Sequence, residues 1–228
     1  MSLLYKGHIP TNRLQKNILA IGSGLAALSN PWRADSVAVT SEVWGMRSLK
    51  TLRANMKVLP EGLKVLEERP LINSKTVDFE QLLSLPPSTL GYNYAKYNLK
   101  WRISPDTRAP VRFVDEDEEL AYIILRYRQI HDILHAVLSM PTNMVGEVAV
   151  KWIEGQQTRL PMCISGGLLG PLRFTKKQAE QYEKLLPWIT QTGSEARLFM
   201  AVYFEKRWEQ DLKDFREEMR VQPPPSFT

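Results

Sequence analysis

The chain has 228 residues, enough to bury a sizeable core in one domain, and its 30 Lys and Arg against 25 Asp and Glu give a net charge of +5 and a pI near 9.3. That balance points to an anionic membrane surface or an acidic partner; nucleic acid is not expected, because no basic patch interleaved with aromatic residues accompanies it. The single cysteine, Cys163, excludes an internal disulfide and fits a reducing compartment.

In chain order, residues 11–29 predict a first helix whose small-residue patch IGSGLAAL either packs tightly or meets a membrane or partner. Its nearly apolar run, residues 18–28, is interrupted by Gly22, Ser23 and Gly24 and falls short of the ~20 residues that span a bilayer, so no transmembrane helix is expected. The start carries no Arg-rich import extension; for a mitochondrial protein, that segment would lie outside this sequence. Asn30-Pro31 ends the first helix, and residues 33–56 continue helically with Ser41 as a cap. Pro60 starts a short helix that closes at Arg69-Pro70. Residues 71–98 hold two short helices separated by Pro86-Pro87, the second bearing Tyr92, Tyr94 and Tyr97, an aromatic cluster expected in the core or at a homodimer interface. The loop SPDTRAP then brings Asp106 and Arg108 either to a site mouth or into a salt bridge of their own.

The next stretch carries the chemistry. Leu120, Ile124, Tyr127, His131, Leu134 and Leu138 follow at steps of four and three, predicting an amphipathic helix with its histidines on the apolar face. Asp115 with Glu118 reads as its capping box, and the acidic run 115–119 suits the positive end of the helix dipole. Only three histidines occur in the chain, and two of them, His131 and His135, lie ~40° apart on this helix, with Asp132 inside a ~100° arc shared with them. Met140-Pro141 stops the helix, and Thr142 or Asn143 caps a second one running to about Gln157. The short connection makes an antiparallel hairpin. At ~1.5 Å per residue, His135 and Glu147 end nearly level across a gap of ~8–10 Å between packed helices.

A lone histidine on an apolar face is usually a satisfied core residue. Four titratable groups on a buried face, however, each carry a desolvation cost unless they share a cation. His131, Asp132, His135 and Glu147 are therefore the expected metal ligands, with Asp132 either a ligand or a proton donor. Two imidazoles and two carboxylates without a thiolate suit Zn²⁺, Mn²⁺, Fe²⁺ or Co²⁺ better than Ca²⁺, with Mg²⁺ a weak occupant. Arg128, one turn before Asp132, reads either as its partner or, foremost, as a solvated side chain.

Beyond the hairpin, the apolar, glycine-bearing residues 160–174 predict either a folded-over turn or a mobile wall for an apolar ligand. Thr175 and Gln178 open a helix running towards Trp188, with Pro187 near its end. Residues 194–219 read as one long last helix, and residues 220–228 as an extended or disordered tail. No segment shows the two-residue alternation of a sheet, so the fold class is all-α: a multi-helix domain built around the hairpin.

The run SPDTRAPVRFVDEDEELAYIILRYRQIHDILHAVLSMPTNMVGEVAVKWIEGQQTRLPMC, with residues 4–45 and 203–219, resembles the fourth ubiquinone (coenzyme Q) biosynthesis protein family of eukaryotes over nearly the whole chain. That family's motif is HDxxH, then eleven intervening residues and a Glu, and it falls here on His131, Asp132, His135 and Glu147. The resemblance implies a mostly helical protein, peripheral on the matrix face of the mitochondrial inner membrane, within an assembly of coenzyme Q biosynthesis proteins. It also implies metal-dependent removal of the carboxylate at ring carbon 1 of 4-hydroxy-3-methoxy-5-polyprenylbenzoate, with or without hydroxylation there. Zn²⁺ is the foremost ion, and Asp132 and Glu147 are the catalytic residues. The alternative role for such a protein is a non-catalytic scaffold that holds lipid intermediates.

Overall fold

A computed structural model describes residues 3–29 and 34–225, and among them every regular element is helical, with one isolated bridge between Thr89 and Asp211. The all-α expectation therefore stands. Helices α1 (Arg13–Ser29) and α2 (Ala34–Trp44) pack on each other; the expected stop at Asn30-Pro31 lies outside the described residues. The helix expected over 33–56 is broken at Gly45, which caps α3 (Met46–Lys57). Ser41 is no cap: it lies inside α2, fully buried, and its hydroxyl donates to the Ala38 carbonyl at 2.6 Å.

Helix α4 (Pro60–Glu68) starts on its proline. Helices α5 (Phe79–Ser84) and α6 (Leu90–Trp101) begin at Asp78 and Thr89, whose side chains accept from the first free amides. Helix α7 (Glu118–Val137) begins at Asp117, two residues beyond the expected cap. Asp115 is drawn away instead by the N-terminal segment, bonding His8 at 2.7 Å, Thr11 at 2.6 Å and Lys16 at 2.9 Å. After α7, Ser139 turns the chain at φ 53°, and Asn143 caps α8 (Met144–Thr158) by accepting from the Gly146 amide at 3.0 Å. Helix α8 lies beside α7, and its Glu147 and Glu154 both reach His131.

Helix α7 is buried on all sides, not on one face: every residue except Glu118, Glu119 and Leu125 is covered. The amphipathic reading fails because the polar residues of the outer face have remote partners. Arg126 makes a double ion pair with Glu205 and donates to the Val202 carbonyl at 3.1 Å. Arg128, expected in solvent, is only 8% exposed, pairing with Glu42 and donating to the Ala109 carbonyl at 2.7 Å. A buried guanidinium must be paired and hydrogen-bonded, and both are.

The glycine-bearing stretch is neither a turn nor a mobile wall but helix α9 (Pro161–Leu169), lying against α8. Its glycines permit this close approach: a Cβ on Gly167 would stand 2.6 Å from the Trp152 ring. Helix α10 (Lys176–Glu195) has the expected Thr175–Gln178 capping box but continues through Pro187 for two further turns. Leu185, Trp188, Ile189 and Thr192 bury on both sides of the proline, and that burial offsets the lost backbone bond.

The long last helix expected over 194–219 is not formed. Residues 199–204 are six consecutive buried positions, which no helix with a solvent face supplies, and they run as two 3-10 turns, Phe199–Ala201 and Phe204–Lys206. Side chains satisfy their backbone: Gln157 accepts from the Phe199 amide at 3.1 Å and Glu61 from that of Tyr203 at 2.9 Å. Asp211 then caps the short helix α11 (Leu212–Met219). The tail begins docked, with Val221 buried and Trp188 donating its indole N–H to the Gln222 carbonyl at 2.8 Å; residues 226–228 lie outside the described residues.

Candidate metal centre

His131 and His135 stand one turn apart near the C-terminal end of α7, and the hairpin brings Glu147, in the first turn of α8, level with them. His135 Nδ1 lies 3.1 Å from the Met140 carbonyl, an acceptor only, so Nδ1 carries the hydrogen and Nε2 the lone pair. His131 Nδ1 lies 2.8 Å from the Glu154 carboxylate, which fixes that ring in the same sense. The two Nε2 atoms thus face each other and Glu147. His131 Nε2 to His135 Nε2 is 3.3 Å, His131 Nε2 to Glu147 Oε2 is 3.3 Å, and His135 Nε2 to Glu147 Oε1 is 3.3 Å.

Those separations test whether an ion fits. Bonds of ~2.0–2.1 Å at tetrahedral angles put donor atoms ~3.3–3.4 Å apart, the spacing that the two Nε2 atoms already have, and each of them meets a different oxygen of Glu147 at that same distance. Among the described residues, His131, His135 and Glu147 are the group whose donor atoms converge in this way. Glu147 is 28% exposed on its side chain, leaving that flank open for a further ligand.

Electrostatics point in the same direction. Burial alone would raise the Glu147 carboxyl, but hydrogen bonds and charge from both histidines pull it well below the usual carboxylate range. Burial would likewise lower His131, yet the Glu154 charge and the Glu147 contact, opposed by Lys151, push it up to about 9. A proton therefore sits where the geometry would seat a cation. Since that proton must leave for an imidazole to ligate, apparent metal affinity should rise roughly tenfold per pH unit below about 9 and level off above it. Calorimetry in two buffers of different ionisation enthalpy should register close to one proton released at neutral pH; affinity independent of pH would contradict this. For the ion-free chain the sign reverses: His131 is raised above the free value of ~6.5, so its contribution to stability is full below that pH and is lost as pH rises through about 9.

The structure does not bring every expected residue into the centre. Asp132, expected as fourth ligand or proton donor, is 4% exposed and engages the Arg108 guanidinium rather than the converging group. Arg108 does reach the site from the loop before α7, whereas Asp106 turns away to accept from Ser74, from its amide at 2.9 Å and its hydroxyl at 2.6 Å. Tyr97 belongs to the site as well: its ring stacks on His135 at 5.7 Å between centroids, and its buried hydroxyl has no partner among the described residues. Burial and the charges of Glu147 and Asp132 keep that phenol protonated.

Sequence reasoning missed Tyr127, Lys151 and Glu154, which surround the outer nitrogen of His131. A signal was present. Glu147, Lys151 and Glu154 follow at steps of four and three on α8, and Tyr127 stands four before His131 on α7, so all face the same seam.

Residues 5–225 match the family described as coenzyme Q (ubiquinone) biosynthesis protein Coq4. The mitochondrial ubiquinone biosynthesis protein COQ4 homolog of Rattus norvegicus is 52% identical over 224 residues, covering 98% of this chain and 84% of the relative. That of Homo sapiens is 50% identical over 223 residues, covering 97% and 84%. The crystal structure of a protein described as a ubiquinone biosynthesis protein, from Nostoc punctiforme, has a TM-score of 0.68 over 93% of this chain and 100% of its own, at 22% identity; that likeness concerns the fold.

Proposed function

The chain belongs to the coenzyme Q (ubiquinone) biosynthesis protein Coq4 family, and from that premise we propose that it is a metal-dependent carboxy-lyase of ubiquinone biosynthesis, removing the carboxylate at ring carbon 1 of a 4-hydroxy-3-methoxy-5-polyprenylbenzoate. The observation that carries this reading is the equal 3.3 Å spacing of His131 Nε2, His135 Nε2 and the Glu147 carboxylate.

The residues present fit Zn²⁺ foremost, with Mn²⁺, Fe²⁺ and Co²⁺ compatible and Mg²⁺ poorly served by two imidazoles. Such an ion, held by His131, His135 and Glu147, supplies Lewis acidity towards a carboxylate or ring oxygen. The charges of the chain suggest the class of ligand. Lys151 offsets Glu154 and Arg108 offsets Asp132, leaving Glu147 as the one unbalanced charge. A dication then leaves a single positive charge, suited to a monoanionic aromatic acid. Decarboxylation replaces the ring-to-carboxylate bond by a ring-to-hydrogen bond, so a proton must reach the carbon that CO₂ leaves. Asp132 is assigned that transfer: Arg108 reaches it from a loop, and as the guanidinium turns to the incoming carboxylate, the buried Asp132 is freed to take up and deliver a proton. The unpartnered Tyr97 hydroxyl is placed to donate to a substrate oxygen.

The isoprenoid tail and the location are assigned on surface chemistry. Leu14, Ile18 and Ile21 form an exposed stripe along α1, and no helix among the described residues is long and apolar enough to cross a membrane. We assign a peripheral position on the matrix face of the mitochondrial inner membrane, as a homodimer among other coenzyme Q biosynthesis proteins; the curated relatives are described as mitochondrial. The same stripe favours the second reading, a lipid-holding scaffold without chemistry. The test is to offer the purified, Zn²⁺-loaded protein the carboxylated prenyl-phenol in detergent. Release of CO₂ is expected. Tight lipid binding with no CO₂ from Zn²⁺, Mn²⁺, Fe²⁺ or Co²⁺ protein would leave the scaffold.

A further inference from the structure

Helix α8 lays three charged side chains along the seam with α7, and only the first, Glu147, belongs to the proposed ligand set. Glu154 is 2% exposed, and both of its oxygens are committed. Oε1 lies 2.8 Å from His131 Nδ1, while Oε2 accepts from the Tyr127 hydroxyl at 2.9 Å and from Lys151 Nζ at 3.0 Å. Lys151 also donates to the Tyr127 hydroxyl at 2.6 Å, and its ammonium comes within 3.3 Å of His131 Nδ1. Cys163 closes the ring with its thiol 3.1 Å from the same hydroxyl. Helix α9 holds the lysine in place, since a Cβ on Gly166 would stand 3.4 Å from Lys151 Cγ.

We propose that Glu154 is a positioning residue for the ion held by His131, His135 and Glu147, and that Lys151 tempers the grip of the site on that ion. Glu154 locks the His131 ring with Nε2 aimed at the ion and makes the imidazole a stronger donor. Lys151 holds the carboxylate through a direct bond and through Tyr127, and it cancels the carboxylate's charge one ring away from the ion. Without that cancellation the loaded centre would lose the net positive charge that attracts an anionic substrate. The two residues touch each other yet act on the ion in opposite directions. The inference rests on the reading that His131, His135 and Glu147 hold a metal.

Zn²⁺ affinity, measured by chelator competition, and the visible spectrum of the Co²⁺-loaded protein test it. Glu154→Gln should weaken Zn²⁺ about 10–100-fold and shift the Co²⁺ bands, with partial recovery in Glu154→Asp. Lys151→Met should tighten Zn²⁺ several-fold. General damage to the fold cannot tighten binding, so the sign for Lys151→Met decides the matter even where Glu154→Gln fails to fold. An unchanged affinity and spectrum in Glu154→Gln, or weakening in Lys151→Met, would overturn the proposal. Zn²⁺ affinity undiminished in Glu147→Ala would instead overturn the ligand set, so the two failures read differently.

Discussion

Glu147→Ala should weaken metal binding by at least about a hundredfold and take turnover down with it while leaving the fold formed. The side chain is the only anion among the three converging donors, and it bridges both imidazoles at 3.3 Å. Complete zinc sites of four ligands bind with roughly 10–16 kcal/mol, so losing one ligand removes on the order of 3 kcal/mol, or about a hundredfold in affinity. The true loss should exceed this, because the remaining imidazoles carry no charge to oppose that of the ion. Some stability of the ion-free chain should go as well, since both buried histidines lose the carboxylate that they hold below its usual range, so thermal unfolding is read beside the affinity. Glu147→Asp, one carbon shorter, should fall between. Chelator competition and CO₂ release read both effects, and undiminished turnover in the alanine variant would remove metal chemistry from consideration.

Glu42→Ala should be the most destabilising single substitution away from the centre. Glu42 is 2% exposed on α2; one oxygen pairs with Arg128 of α7, and the other accepts from the amides of Arg112 at 2.8 Å and Phe113 at 2.7 Å. Alanine leaves a buried guanidinium without its counter-charge and two partly buried amides without their acceptor, a loss of about 3–5 kcal/mol. For a chain of this length that lowers Tm by roughly 10 °C. Glu42→Gln, which keeps one acceptor, should lose less. The site should feel the change as well: residues 109–113 follow Arg108, so loosening them frees the guanidinium that covers Asp132. Thermal unfolding of the ion-free chain measures the effect, and a Tm close to that of the unsubstituted protein would show that Arg128 finds another partner.

The convergence of His131, His135 and Glu147 was legible because every signal was local. The four-residue step of the histidines, the stop at Met140-Pro141 and the asparagine cap each act within a few residues, and together they set Glu147 level with His135. What the sequence hid depends on distant pairing. Arg128 looks like a solvated position until Glu42, 86 residues away, arrives to bury it. Asp132 reads as a ligand from its place beside His131, and only the loop carrying Arg108 shows where it turns. Residues 199–204 read as helix because Leu198, Val202, Glu205 or Trp208, Leu212 and Phe215 fall at helical steps through them, while surrounding elements bury all six. Pro187 looked like a helix end, but tertiary burial on both sides of it outweighed the lost backbone bond.

The most direct measurement is anomalous diffraction from crystals of the Zn²⁺-loaded protein at the zinc absorption edge. A single strong peak about 2.0–2.1 Å from His131 Nε2, His135 Nε2 and a Glu147 oxygen is the predicted result. No peak between the two imidazoles, or a peak whose ligands leave out Glu147, would contradict it.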